Sequence, residues 1–117
     1  MAVAITWLGH SAFIVDLPSK QRVLFDPWLG NPRCPQAYRQ AGALGKVDLV
    51  LVSHGHDDHA SDLSAISRAT GAPVVCIFEL GQYLKGRGLR NVCDMGIGGT
   101  QDVAGACLTM KPAGPPR

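Results

Sequence analysis

The sequence lacks long apolar runs, blocks of like charge and closely spaced cysteines. A helix that crosses a membrane needs about 20 consecutive apolar residues, so we expect no membrane partner. The 11 basic and 9 acidic residues are dispersed along the chain, which leaves no basic track and argues against a nucleic-acid partner. The first residues lack the basic start and apolar core of a signal peptide, so we expect a cytoplasmic location.

The four cysteines are widely spaced and form no CxxC motif, as expected for reduced thiols in the cytoplasm. Cys76 and Cys107 each lie within an apolar run. Since an unreactive cysteine behaves as a small apolar residue, we predict that both are buried in the core.

Hydrophobic residues make up 46% of the 117 residues, which is enough for one globular domain over residues 1–117. Residues 4–8, 11–17 and 22–26 are rich in β-branched and aromatic side chains and predict three strands, the third antiparallel to the second. Residues 27–46 have no clear period and predict a long loop with a helical turn near residues 36–40.

The second half of the chain predicts strands that alternate with helices. Residues 47–53 form an apolar run typical of a strand buried on both faces. Residues 60–70 predict an amphipathic helix with Ser61 as its N-cap and Gly71 as its C-terminal stop. Because a buried strand follows at residues 73–78, the two strands should be joined by a parallel crossover. A short helix at 80–85 follows, then short strands at 91–95 and 105–110 separated by a turn at 96–100.

Three of the four histidines lie close together in an HxHxDH pattern formed by His54, His56, Asp58 and His59. In an extended backbone, residues two apart point to the same side, so His54 and His56 can face one metal ion. Asp58 and His59 follow where the chain turns into a helix, which suits a second ion. Nitrogen and carboxylate donors favour zinc, with manganese or iron as alternatives. The pattern predicts one or two divalent ions at the carboxyl end of a buried strand.

His10 and Asp26 are candidate outer residues of this site. His10 follows the first strand, where it could be a structural histidine bonded to the backbone or a site residue, and the sequence leaves both open. Asp26 ends a predicted strand, where it could cap a turn or orient a ligand histidine. We favour the second interpretation for Asp26.

The histidine cluster, the segment at residues 6–13 and the Asp-Pro-Trp triplet at residues 26–28 together resemble the metallo-β-lactamase superfamily. Within it, they are most similar to a group of bacterial metal-dependent hydrolases related to the ascorbate-phosphate lactonases. The resemblance extends to about residue 113. It implies an α/β fold of the αββα sandwich type, in which a mixed β-sheet is flanked by helices and one or two metal ions lie at the sheet edge.

The resemblance also implies roles for individual residues. His54 and His56 would bind the first ion, Asp58 and His59 the second, and Asp58 would also position the attacking water as the catalytic residue. The implied reaction is cleavage of an ester, lactone or phosphoester in a small-molecule substrate by metal-activated water.

Members of the superfamily continue beyond the point that corresponds to the end of this sequence and supply further ligands there. We therefore expect a C-terminally truncated domain, the N-terminal half of the sandwich, with half of the ligands. The alternative to an active hydrolase is a catalytically inert metal-binding fragment or half-domain.

Overall fold

A six-stranded sheet forms the centre of the computed structural model, which describes residues 2–112. Its strands lie side by side in chain order, namely β1 (Ala4–Trp7), β2 (Phe13–Asp16), β3 (Arg22–Phe25), β4 (Leu49–Leu51), β5 (Val74–Ile77) and β6 (Val92–Met95). Residues 1 and 113–117 of the predicted domain, including the predicted end of the family resemblance, lie outside the described residues.

The sheet is antiparallel at its start and parallel afterwards. β1, β2 and β3 pair as an antiparallel meander, whereas β3 to β6 pair in parallel. Parallel neighbours need crossover connections, and the segments after β3, β4 and β5 supply them. The mixed sheet with flanking helices confirms the predicted fold class, including the antiparallel third strand and the parallel crossover.

Three α-helices follow β4 and β5, and the amphipathic helix predicted over residues 60–70 is confirmed for residues 63–70 with its stop at Gly71, but its first three residues do not belong to it. The chain instead forms α1 (Asp57–Ala60) and α2 (Leu63–Thr70), while α3 (Phe78–Gly86) follows β5 directly. Ser61 is the residue after α1 rather than an N-cap, and α2 begins after Asp62. The Asp62 carboxylate accepts hydrogen bonds from the backbone amides of Leu29 (2.7 Å) and Gly30 (3.2 Å), so a tertiary contact replaces local capping.

The long loop between β3 and β4 contains two short 3-10 helices, Gln36–Tyr38 and Ala41–Leu44. The first coincides with the predicted helical turn. Leu44 in the second is fully buried against the helical side of the sheet. The loop is therefore anchored to the core, although its sequence has no clear period.

The two faces of the sheet are covered differently. Alternate side chains of β3, β4 and β5 point to opposite sides, as the period of a strand requires. Leu24, Val50 and Val74 pack with α2 and the loop in the larger core cluster. Val23, Leu49 and Val75 lie on the other side, in a smaller cluster with the last segment of the described chain.

That segment is a hairpin of β7 (Thr100–Val103) and β8 (Ala106–Thr109), which forms a second, two-stranded sheet. The sequence predicted β8 but not β7, because β7 has the polar sequence Thr-Gln-Asp-Val and three exposed residues. Cys107 in β8 is exposed, so the prediction of a buried Cys107 is wrong. Cys76 is fully buried, as predicted. Position 107 lies on the outer side of the alternating strand.

None of the described helices is long and apolar enough to cross a membrane.

Candidate metal centre

The candidate site lies where β3 and β4 end next to each other. These strands are parallel neighbours, so their carboxyl ends meet at one edge of the sheet. Asp26 follows β3 directly, and His54 follows β4 after two linking residues. The amide of Asp26 donates to the carbonyl of Leu51 (2.9 Å), which extends the pairing to the site. Ligand sites are common at this edge of α/β sheets.

Asp26 is buried and holds the start of the histidine segment. Its Oδ1 accepts a hydrogen bond from the Ser53 amide (2.6 Å), and its Oδ2 accepts one from Ser53 Oγ (2.7 Å). Ser53 Oγ also lies 2.8 Å from His54 Nδ1. An ionised carboxylate only accepts, so the serine proton points to Asp26 and the serine oxygen is free to accept from Nδ1–H of His54. This chain of hydrogen bonds leaves Nε2 of His54 with a free lone pair.

Asp26 also lies beside the last histidine of the cluster. Its Oδ2 is 3.0 Å from Nδ1 of His59, and both side chains are 12% exposed. The approach does not have the geometry of a hydrogen bond, so within residues 2–112 the buried Nδ1 has no hydrogen-bond partner. Asp26 therefore contacts Ser53, which directly precedes the cluster, and His59, which ends it, and an orienting role for it stays a prediction.

The histidine rings are packed against one another. The rings of His54 and His56 are 4.7 Å apart between centroids, and those of His54 and His59 are 4.0 Å apart. His10, which precedes the cluster by more than forty residues in the sequence, brings its ring to 5.3 Å from that of His59. All four histidines of the chain thus belong to one cluster of neighbouring rings.

The donor atoms fall into two groups that share Asp58. One consists of His54, His56 and Asp58, and the other of His10, Asp58 and His59; in each group the donor atoms lie within 4.8 Å of one another. The sequence predicted one pair of ligands for each ion. The structure brings the four predicted ligands together and adds His10 to the second group.

These residues fit a divalent cation. Imidazole nitrogens and a carboxylate are the donor set that zinc, manganese and iron accept. Nδ1 of His59 lies beside the Asp26 carboxylate, so the donor of His59 near Asp58 is Nε2, 3.6 Å from Oδ1. His54, His56, Asp58 and His59 are the residues that would hold the metal.

A tight turn after β1 positions His10. Gly9 and His10 both have positive φ angles, 91° and 52°. A Cβ at Gly9 would collide with Oδ1 of the buried Asn31, so only glycine is tolerated there. Asn31 donates to the carbonyls of Leu8 (3.0 Å) and Trp28 (2.6 Å) and so ties the turn to the loop after β3.

Two residues of this site were missed by the sequence analysis. Ser53 directly precedes the cluster and could have been found as a hydroxyl next to a ligand histidine. Asn31 gave no signal, since its role depends on two carbonyls that only the tertiary fold brings to it.

Comparisons with known proteins identify relatives of this chain. A family model described as Beta-lactamase superfamily domain matches residues 4–100. A UPF0173 metal-dependent hydrolase of Koribacter versatilis is 45% identical over 91% of this chain and 45% of its own length. One from Methanopyrus kandleri is 46% identical over 93% of this chain and 46% of its own length.

A solved structure shows the same fold. It is that of Igni18, a metallo hydrolase from the hyperthermophilic archaeon Ignicoccus hospitalis, with a TM-score of 0.82 and 34% identity over 95% of this chain and 48% of its own chain. The chain thus spans about half the length of the relatives that it matches. With most of its length matched by the family model, the chain belongs to the Beta-lactamase superfamily domain family.

Proposed function

We propose that this chain supplies metal ligands to a hydrolase that uses water to cleave an ester, lactone or phosphoester in a small-molecule substrate. The observation that carries the proposal is the convergence of His54, His56, Asp58 and His59 at one sheet edge, where together with His10 they form two donor groups. The names of the relatives, metal-dependent hydrolases and a metallo hydrolase, support the same reaction class. The relation to ascorbate-phosphate lactonases stays a prediction.

The metal would be one or two divalent ions, with zinc preferred and manganese or iron as alternatives. A bound ion of this kind lowers the pKa of water to about 7 and stabilises negative charge on an oxygen of the reacting centre. The residues of the chain provide binding and orientation. His54 would use Nε2, because its Nδ1 faces Ser53 Oγ, which in turn donates to Asp26.

Asp58 is the proposed catalytic residue. Its side chain is 43% exposed, so both water and a substrate can reach its oxygens. A carboxylate at this position accepts a hydrogen bond from the attacking water and orients it toward the substrate. The neighbouring Asp57 is exposed, belongs to neither donor group and lines a cavity with Ser61 and Tyr83.

The test is hydrolysis by the full chain, first stripped of metal and then supplied with Zn²⁺ or Mn²⁺. p-Nitrophenyl acetate, a simple lactone and bis(p-nitrophenyl) phosphate represent the three substrate classes. We expect turnover of at least one class that needs the ion and is lost in His54→Ala and Asp58→Ala but kept in Asp57→Ala.

Turnover that persists in Asp58→Ala would overturn the assignment of the site. Stoichiometric metal binding without turnover of any class would instead favour the inert metal-binding half-domain.

A further inference from the structure

His10 occupies a position that a purely structural histidine would not need. Its ring lies between two other rings, edge-on to Trp28 and to His59, each at 5.3 Å between centroids. Its side chain is 38% exposed and lines a cavity of about 360 Å³ with Trp28 and Arg33. Because a structural histidine is usually satisfied by buried backbone groups, this half-exposed ring among ligand-type residues points to a role in the site.

The backbone of His10 is held in an unfavourable conformation. Of the residues that the structure describes, four other than glycine have positive φ: His10, Lys20, Asp26 and Ala104. Lys20 and Ala104 lie in the hairpin turns after β2 and β7, where such angles are common. His10 and Asp26 both lie at the candidate metal centre. Non-glycine residues in this region of φ are strained and cluster at functional sites.

Several contacts fix this conformation. The carbonyl of His10 accepts a hydrogen bond from Trp7 Nε1 (2.9 Å), and the carbonyl of Gly9 accepts one from the Ala12 amide (3.0 Å). Asn31 holds the preceding carbonyl of Leu8. These contacts fix the backbone of the turn from which the His10 ring reaches Asp58 and His59.

The donor atoms of His10, Asp58 and His59 lie close together. His10 Nε2 lies 3.4 Å from Asp58 Oδ2, and His59 Nε2 lies 3.6 Å from Asp58 Oδ1. Both distances exceed the 2.7–3.2 Å range that is usual for a hydrogen bond. Two donors that each lie about 2.1 Å from a tetrahedral ion are about 3.4 Å apart. The two distances run to different oxygens of Asp58, and one donor atom from each of the three residues lies within 4.8 Å of the others, a spacing compatible with a shared cation.

We propose that His10 is a metal ligand, which binds a divalent ion through Nε2 together with Asp58 and His59. This inference rests on the proposed function, since it assigns a third protein ligand to the second ion of that centre. These three ligands come from the turn after β1 and from α1.

The test uses His10→Asn in the full chain. Asparagine is among the residues that best tolerate positive φ, so this variant keeps the turn while it removes the imidazole. His56→Asn is the matched control, because His56 belongs only to the other donor group. Zn²⁺ per chain is measured by elemental analysis after gel filtration and by calorimetric titration, and circular dichroism verifies that each variant is folded.

We expect two bound Zn²⁺ ions per native chain and one in each single variant. The double variant His10→Asn/His56→Asn should bind none. Two tightly bound ions in folded His10→Asn would overturn the assignment of His10 and leave the proposed metal centre intact. A native chain that binds no Zn²⁺ would instead overturn the metal centre itself, together with this inference.

Discussion

At the scale of single residues, Ser53 is the side chain whose role in the site is most easily isolated. It connects Asp26 to Nδ1 of His54 through one hydroxyl and remains exposed itself. Ser53→Ala removes this connection but keeps the amide that donates to Asp26. Since loss of a group that orients a ligand histidine typically weakens metal affinity 10–100-fold, we expect about that loss.

Calorimetric titration with Zn²⁺ measures the effect of Ser53→Ala. Ser64→Ala, at an exposed position of α2, serves as the control and should bind as the native chain does. Equal affinity in Ser53→Ala and the native chain would show that the hydroxyl does not orient His54.

The cysteines allow a second prediction at this scale. Burial, with the nearby Asp94 adding to it, raises the pKa of Cys76 to about 11, whereas Cys107 is exposed. A thiol reagent at pH 8 should therefore modify Cys107 rapidly and Cys76 only after unfolding, because the thiolate is the reactive form. Cys107→Ser should remove the rapid phase of labelling, and a rapid phase that survives this substitution would contradict the prediction.

The same pKa shift gives a pH dependence of stability. The unfolded chain releases the Cys76 proton near the ordinary pKa of 9.0, and the folded chain releases it near 11. Cys76 thus contributes stability below pH 9, and this contribution is lost as the pH rises to 11. Urea unfolding of Cys76→Ala should show a smaller loss of stability over this interval than the native chain.

At the scale of secondary-structure elements, α3 approaches β6 so closely that only glycine fits between them. A Cβ at Gly81 would lie 2.9 Å from Cβ of Asp94, an atom fixed near the backbone of β6. Gly81→Ala should destabilise the protein by about 1–3 kcal/mol, because overpacking outweighs the gain in helix propensity.

Gly86 is the matched control in the same helix. A Cβ there would meet nothing within 4 Å in the described structure, so Gly86→Ala should be neutral or stabilising by up to about 1 kcal/mol. Urea midpoints measure both variants. Equal midpoints for the two alanine variants would mean that α3 can shift away from β6 without cost.

The elements also show what the sequence could predict. The strands with continuous apolar or β-branched runs, such as Leu49–Leu51 and Val74–Ile77, were found because burial on both faces gives an unmistakable pattern. The break between α1 and α2 was missed because Asp62 serves the loop at Leu29 rather than its own helix. β7 was missed because only pairing with β8 makes its polar sequence a strand.

The candidate site was predictable to the extent that it is local in sequence. The spacing of His54, His56, Asp58 and His59 contained the information for four ligand-type residues. The inclusion of His10 could not be derived in the same way, because it depends on the turn at Gly9 and on a distant Asn31. Long-range contacts of this kind leave no periodic trace in a sequence.

At the scale of the whole molecule, the candidate metal centre joins the ends of β1, β3 and β4 to α1. A metal ion that binds only the folded chain stabilises it by an amount that grows with metal concentration, about 2.7 kcal/mol at 100 times the Kd. We expect the melting temperature to rise with added Zn²⁺ or Mn²⁺ and to fall again with a chelator.

Asp58 and Asp57 provide the decisive pair of variants for this prediction. Asp58 belongs to both donor groups, whereas the adjacent and more exposed Asp57 belongs to neither. Asp58→Asn should therefore abolish the metal-dependent rise in melting temperature, and Asp57→Asn should retain it. An equal rise in both variants would mean that the ion stabilises the fold from elsewhere on the surface, because both donor groups contain Asp58.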